Sequence, residues 1–412
     1  MTKMTLSFLV SLMSMTLAML APGPKPALAK PVTLGIDVLL NERIDLVAGK
    51  RLGLITNASA VDSQLVPTLE RLRTDKRVNL VQLYAPEHGL GGAMDNGKSD
   101  RKGTEGSTQL PIEGLFGRQN RPSAASLARI DILVFDIQDI GSRTYTYVST
   151  LGNAMMAAKA AKVPIMVLDR PNPIGGILFE GPVREPKYKS LIGWGPIPVT
   201  HGMTVGELAR FYNEELGIHA DLIVVPMQGW KRSMIWADTG LTWVPTSPGI
   251  PHELNAHFYV ATGMVGGSGT NVNEGGGNSM PFELIGAPFV DGYALTRMLT
   301  EAGLPGVRFR HITYIPSRGQ YKNKIVHGVQ LLLDDAKAFR PLHTALTILV
   351  ALNQLHGTDL TVKDPRRFGR VWGNDRVLQQ IRQGKSVAEI EACWQEELQA
   401  FGQKRALHLI YD

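Results

Sequence analysis

The chain is predicted to fold as an α/β protein, with a parallel-sheet N-terminal domain followed by a smaller α/β C-terminal domain. Three observations predict this. Short apolar runs alternate with segments of helical length, which implies a parallel sheet with right-handed crossovers. Four of those runs end in polar clusters, as strands do when their carboxyl ends open on one ligand crevice. A proline-rich stretch, Val244–Pro251 with Pro245, Pro248 and Pro251, then separates this regular half from a glycine-rich and mixed remainder.

The strands are expected at Arg51–Thr56, Asn79–Tyr84, Asp131–Phe135 and Pro164–Leu168. They run into Asn57, Pro86-Glu87-His88-Gly89, Asp136-Ile137-Gln138-Asp139 and Asp169-Arg170-Pro171-Asn172-Pro173 respectively. Helical periods fall at Leu65–Leu72 and Thr150–Ala161. Thr204-Val205-Gly206-Glu207 has the form of a capping box, whose hydroxyl and carboxylate satisfy free N–H groups at a helix start, and Ala220–Pro226 follows as a fifth strand. Gly89–Gly117 lacks an apolar period and is read as a long functional loop. In the second half, Gly263–Gly277 carries Asn271, Asn273 and Glu274 between glycines, which suits backbone folded around a polar ligand better than a linker. Ile325–Leu333 is expected as a strand, and Leu342–Leu355 and Val387–Phe401 as helices.

Residues 1–29 read as an export segment. Met1–Lys3 is weakly basic, Leu6–Leu20 is apolar or small, and Ala27-Leu28-Ala29 suits signal peptidase. The domains then span 30–245 and 246–412. The apolar run is short for a membrane span, so an exported protein, periplasmic or secreted and without stable membrane insertion, is expected. With one cysteine, Cys393, there is no internal disulfide and the fold rests on its core. The formal charge of +6 is dispersed without a basic block, so nucleic acid is not an expected partner.

Glu87 is the strongest catalytic candidate: a carboxyl at a strand mouth, partly shielded from water, can hold and donate a proton. Asp136, Asp139 and Glu274 are candidate partners in acid–base or nucleophilic chemistry. Candidate binding residues are Asn57, His88, Gln138, Arg143, Tyr145, Asp169, Arg170, Asn172, Glu180, His201 and Asn271, with Arg143 and Arg170 able to grip a carboxylate in bidentate fashion. The alternative for the acids is an ion-pair network in which Asp136 or Asp169 meets Arg143 or Arg170 and shapes the loops. His88 and His201 lack metal-ligand spacing, so no metal is expected. No Gly-x-Ser-x-Gly occurs, and Thr56-Asn57-Ala58-Ser59 stands where a dinucleotide fingerprint would be.

The ordered motifs Tyr84-Ala85-Pro86-Glu87-His88-Gly89, Val134-Phe135-Asp136-Ile137-Gln138-Asp139-Ile140-Gly141 and Tyr145-Thr146-Tyr147 resemble the exo-β-N-acetylmuramidase family. So do Leu168–Gly176, Glu180-Gly181-Pro182, His201-Gly202-Met203-Thr204 and Pro281–Pro288, and the resemblance covers roughly residues 33–412. It implies a Rossmann-like N-terminal domain, a smaller C-terminal domain closing a cleft, and no cofactor. It also implies hydrolysis of β-1,4-linked N-acetylmuramic acid from the non-reducing end of peptidoglycan fragments. The family's catalytic glutamate maps onto Glu87. Two positions depart from the family: the usual Glu-Gly-Thr-Asn reads Ser268-Gly269-Thr270-Asn271, and Glu-Gly-Arg-Gly-Thr reads Glu274-Gly275-Gly276-Gly277-Asn278. The loss of one acid and one arginine motivates an alternative expectation, a protein that binds muropeptide sugars without cleaving them.

Overall fold

A computed structural model describes residues 31–100, 103–106 and 108–412. The expected export segment lies outside the described residues. Seven strands form the large sheet: β1 (Arg51–Thr56), β2 (Asn79–Ala85), β3 (Gly103–Thr104), β4 (Pro111–Gly114), β5 (Ile132–Asp136), β6 (Ile165–Leu168) and β7 (Leu222–Val225), in the order β3-β4-β2-β1-β5-β6-β7. All neighbours pair in parallel except β3 with β4. Every residue of β5 and β6 is buried, because helices cover both faces. That double burial is why these strands read as unbroken apolar runs. Each such aliphatic contributes roughly 1.5–3 kcal/mol relative to exposure.

The chain moves from β1 outward to β2 on one side and to β5 on the other, so the sheet's switch point lies between β1 and β5. There the crossovers diverge and leave a crevice beyond the carboxyl ends. Asn57 follows β1 and the Ile137–Asp139 segment follows β5, on the two sides of that point.

Three antiparallel strands form the second sheet: β8 (Leu284–Ala287), β9 (Val307–Tyr314) and β10 (Val326–Leu333), in the order β8-β10-β9. One apolar cluster runs through both halves, from Ile55, Phe135 and Leu151 to Ile285, Leu346, Trp372 and Phe401. The two sheets therefore share a continuous core.

The Thr204 capping box is present: the Thr204 hydroxyl accepts from Glu207 N at 3.2 Å, and the Glu207 carboxylate accepts from Thr204 N at 3.0 Å. Four expectations needed adjustment. The helix at Leu65–Leu72 begins only at Thr68, since Leu65 sits at φ 66° in a turn. The helix at Thr150 begins earlier, at Thr146, and runs to Ala161. The Gly89–Gly117 loop contains β3 and β4, with β4 held by parallel pairing to β2. The single helix Val387–Phe401 is two, Val387–Ala392 and Gln395–Ala406, with Cys393 half-buried at the break.

Candidate functional site

Glu87 lies two residues past the end of β2 and is 9% exposed. Both carboxylate oxygens are engaged: Oε1 accepts from the Gly97 N–H at 2.6 Å and Oε2 from the Thr146 hydroxyl at 2.7 Å. Thr146 is the first residue of the helix Thr146–Ala161, so the carboxylate sits at a helix N-terminus, where the dipole favours negative charge. The other donor comes from the loop after Glu87, which folds back over it. His88, at φ 71°, anchors that loop.

Beside Glu87 stands an aromatic wall. Tyr145 and Tyr147 meet edge to face at 4.7 Å, Tyr259 packs on Tyr145 at 5.7 Å, and Phe282 packs on Tyr259 at 5.0 Å. Asn57 donates to the Tyr147 hydroxyl at 2.8 Å, and that hydroxyl donates to the Thr246 carbonyl at 2.7 Å. The Tyr145 hydroxyl meets the Thr246 hydroxyl at 2.8 Å. The proline-stiffened stretch that separates the two halves thus builds part of the wall. Burial pushes the Tyr259 phenol up to about 12, with the charges of Glu87 and Asp139 adding to the effect. Tyr147 is pushed up by burial first, then by Tyr145 and by the Glu87 charge. These phenols stay neutral at ordinary pH, and two acids, Glu87 and Asp139, act on Tyr259.

Asp139 is the second of those acids. Its Oδ2 accepts from Gly141 N at 2.7 Å and lies 3.7 Å from His201 Nε2. Its Oδ1 is buried and has no hydrogen-bond partner among the described residues. His201 accepts from Met203 N through Nδ1, which places the ring proton on Nε2, facing Asp139. Gly141 permits this turn: its φ is 82°, and a Cβ there would lie 2.3 Å from Asn172 Oδ1. In the second half, Glu274 packs against Gly266; its proton affinity is raised by burial, with Arg367 opposing. Its side chain is half-buried.

Other expected site residues are engaged by partners within the fold, and the Asp136–Arg170 pair is the ion-pair alternative. Asp136 is held in a buried ion pair. Arg170 grips it through Nε at 2.5 Å and Nη2 at 2.8 Å, and the Thr68 hydroxyl adds a bond at 2.6 Å. Arg170 is engaged by Asp136 and by the Val61 carbonyl. Arg143 is fully buried, with Nη2 on the Val371 carbonyl, and desolvation pulls its pKa down to about 9. Asp169 accepts from Gly206 N and from the hydroxyls of Thr204 and Tyr411, tying the C-terminus to the sheet. Burial pushes Asp169 up to about 6 despite those donors. Glu180 pairs with Arg340 and accepts from Leu342 N, joining the two halves. Asn172 bridges Ile174 N and the Met203 carbonyl, and Gln138 donates to the Asp139 and Pro171 carbonyls. Asn271 bridges the Asp359 carbonyl and Thr361 N. Partners satisfy most of these buried polar groups, while Arg143 Nε and Nη1 and Gln138 Oε1 have no hydrogen-bond partner among the described residues. Gln138 and Arg170 also line a small cavity with Ser59, Val61, Asp62 and Trp236.

Gly97, Thr146, Tyr147, Thr246, Tyr259 and Phe282 were not among the expected site residues. Tyr145-Thr146-Tyr147 carried a signal, polar aromatics just past the strand-end loop. Tyr259 carried none, since it opens a π-helical turn, Tyr259–Gly263, a feature often found at functional sites but invisible in sequence. Among the described residues no group of three or more His, Cys, Asp or Glu is placed to hold a metal ion.

Two family models match the chain: "Exo-beta-N-acetylmuramidase NamZ, N-terminal" over residues 52–254 and "Exo-beta-N-acetylmuramidase NamZ, C-terminal" over residues 257–411. The peptidoglycan beta-N-acetylmuramidase NamZ of Bacillus subtilis (strain 168) is 40% identical over 416 residues, covering 100% of both chains. Two crystal structures from Bacteroides fragilis NCTC 9343, both titled as DUF1343 family proteins, share the fold. One has a TM-score of 0.87 at 35% identity, covering 94% of this chain and 100% of its own. The other has a TM-score of 0.76 at 28% identity, covering 92% and 99%.

Proposed function

The chain belongs to the exo-β-N-acetylmuramidase NamZ family, and from that premise we propose that it is a glycoside hydrolase that releases β-1,4-linked N-acetylmuramic acid from the non-reducing end of peptidoglycan fragments. One observation carries the assignment of its chemistry. Glu87 is a buried carboxyl just past the carboxyl end of β2, held by the Gly97 N–H and the Thr146 hydroxyl, and its charge and that of Asp139 both act on Tyr259. Glu87 protonates the departing glycosidic oxygen. Asp139 and Glu274 are the two remaining candidate acids without an ion pair to arginine or lysine among the described residues, and one of them supplies the base or nucleophile. A carboxyl separation of about 5–5.5 Å gives retention and about 6.5–9.5 Å gives inversion. Tyr259, the half-buried member of the wall, offers a ring face to the sugar, with Tyr145 packed against it. The protein acts outside the cytoplasm, periplasmic or secreted, where its substrate lies; no described helix is long and apolar enough to cross a membrane.

The test is incubation with the disaccharide N-acetylmuramyl-β-1,4-N-acetylglucosamine and with longer fragments. Free N-acetylmuramic acid, removed singly from the non-reducing end, is the expected product. Calorimetric binding with no sugar released over hours would instead make the protein a receptor, and internal cleavage would contradict the exo assignment.

A further inference from the structure

We infer that His88 is a positioning residue, which folds the following loop so that the Gly97 N–H pins Glu87 Oε1 and leaves Oε2 as the oxygen that carries the proton. This rests on Glu87 being the proton donor. Three hydrogen bonds radiate from His88. Its backbone N–H donates to the Lys98 carbonyl at 2.8 Å, its carbonyl accepts from Met94 N at 3.1 Å, and its ring Nδ1 reaches the Met94 carbonyl at 2.7 Å. A carbonyl only accepts, so Nδ1 holds a proton. Both ends of the loop are tied as well, by Leu90 N to Asp100 at 2.6 Å and by the Ser99 hydroxyl to the Pro86 carbonyl at 2.7 Å.

The loop delivers Gly97 N to Glu87 Oε1 at 2.6 Å. A backbone N–H can only donate, so Oε1 is held as an acceptor and is the poorer position for the acidic proton, which favours Oε2. The Thr146 hydroxyl at Oε2 can donate to the carboxylate or accept from the acid, so it serves both halves of the proton transfer. His88 itself need not touch the sugar. Its contribution is the orientation of the carboxyl, and small misplacements of a reacting group are costly.

The experiment measures kcat and KM with a chromogenic N-acetylmuramide for His88→Ala, His88→Gln and His88→Asn. Ala and Gln lower kcat roughly ten- to hundredfold while KM stays within about twofold. Asn restores kcat to within about threefold, because its Nδ2 falls where Nδ1 lay and Asn tolerates positive φ. An Asn variant no faster than Ala, a loss carried by KM, or native kcat in all three overturns the inference. Melting curves qualify each variant. If Ala does not fold, Gln against Asn decides alone, since both carry an amide and only Asn places its nitrogen at the Nδ1 position. Glu87→Gln run alongside separates the two levels. Full activity there removes the reading of Glu87 itself, whereas loss there with no rescue by Asn removes only the positioning role.

Discussion

Replacing Arg170 by Ala isolates the claim that Asp136 is architectural. The pair is sealed from water, with side chains 2% and 0% exposed and two charge-assisted bonds between them. Removing the guanidinium leaves a buried carboxylate held by the Thr68 hydroxyl and takes a donor from the Val61 carbonyl. Breaking a buried pair from one side costs about 3–5 kcal/mol. At about 2.1 cal/mol/K per residue a chain of this size has an unfolding entropy of about 0.8 kcal/mol/K, so the melting temperature should fall by roughly 4–6 °C. Asp136→Asn should cost a similar amount, since it strands the cation. The double change Asp136→Leu with Arg170→Met should recover much of the loss, because no charge is then stranded. The assay is thermal melting together with kcat on the folded fraction at 25 °C. Asp136→Asn should keep kcat within about tenfold of the parent, far from the loss expected on removing a proton-transfer group. A variant that melts like the parent but has lost a thousandfold or more in kcat would refute this reasoning and return Asp136 to the chemistry.

Three further outcomes are expected. Asp169 binds its proton more tightly folded (about 6) than unfolded (about 3.9), so its contribution to stability is full below pH 4 and is lost as pH rises through 6. The loss, about 2–3 kcal/mol, should show in melting temperatures from pH 4 to 7 and vanish in Asp169→Asn. Gly141→Ala should cost about 1–3 kcal/mol through positive φ and the clash with Asn172, and should lower kcat by displacing Asp139; unchanged urea midpoint and rate would contradict it. Activity should persist in excess chelator, since the family resemblance implies no metal; loss restored by a divalent ion would contradict that expectation.

The strands were legible because double burial removes the polar alternation, leaving β1, β5 and β6 as solid apolar blocks with polar ends. Thr204 and Glu207 announced their helix through a local spacing that needs no tertiary context. β4 escaped because four residues gain strand geometry only by pairing with β2. The start at Thr146 escaped for a related reason: Tyr145 gives no side-chain cap. The candidate acids could be named from their strand-end positions, but not sorted. The ion-pair alternative included Asp136 with Arg170, but Glu180 is spent by an arginine 160 residues on, and no local pattern reports such a partner. Gly97 could not be foreseen, since its role is a backbone N–H aimed by a loop whose sequence carries no period.

The central claim, that Glu87 is the proton donor, is tested most directly by Glu87→Gln on a chromogenic N-acetylmuramide. Gln keeps the size of the side chain and an oxygen for the Gly97 N–H, but it has no acidic proton. The account predicts a kcat lower by roughly a hundred- to ten-thousandfold, with KM and melting temperature close to the parent's. Turnover at the parent's rate in a properly folded Gln variant would contradict it.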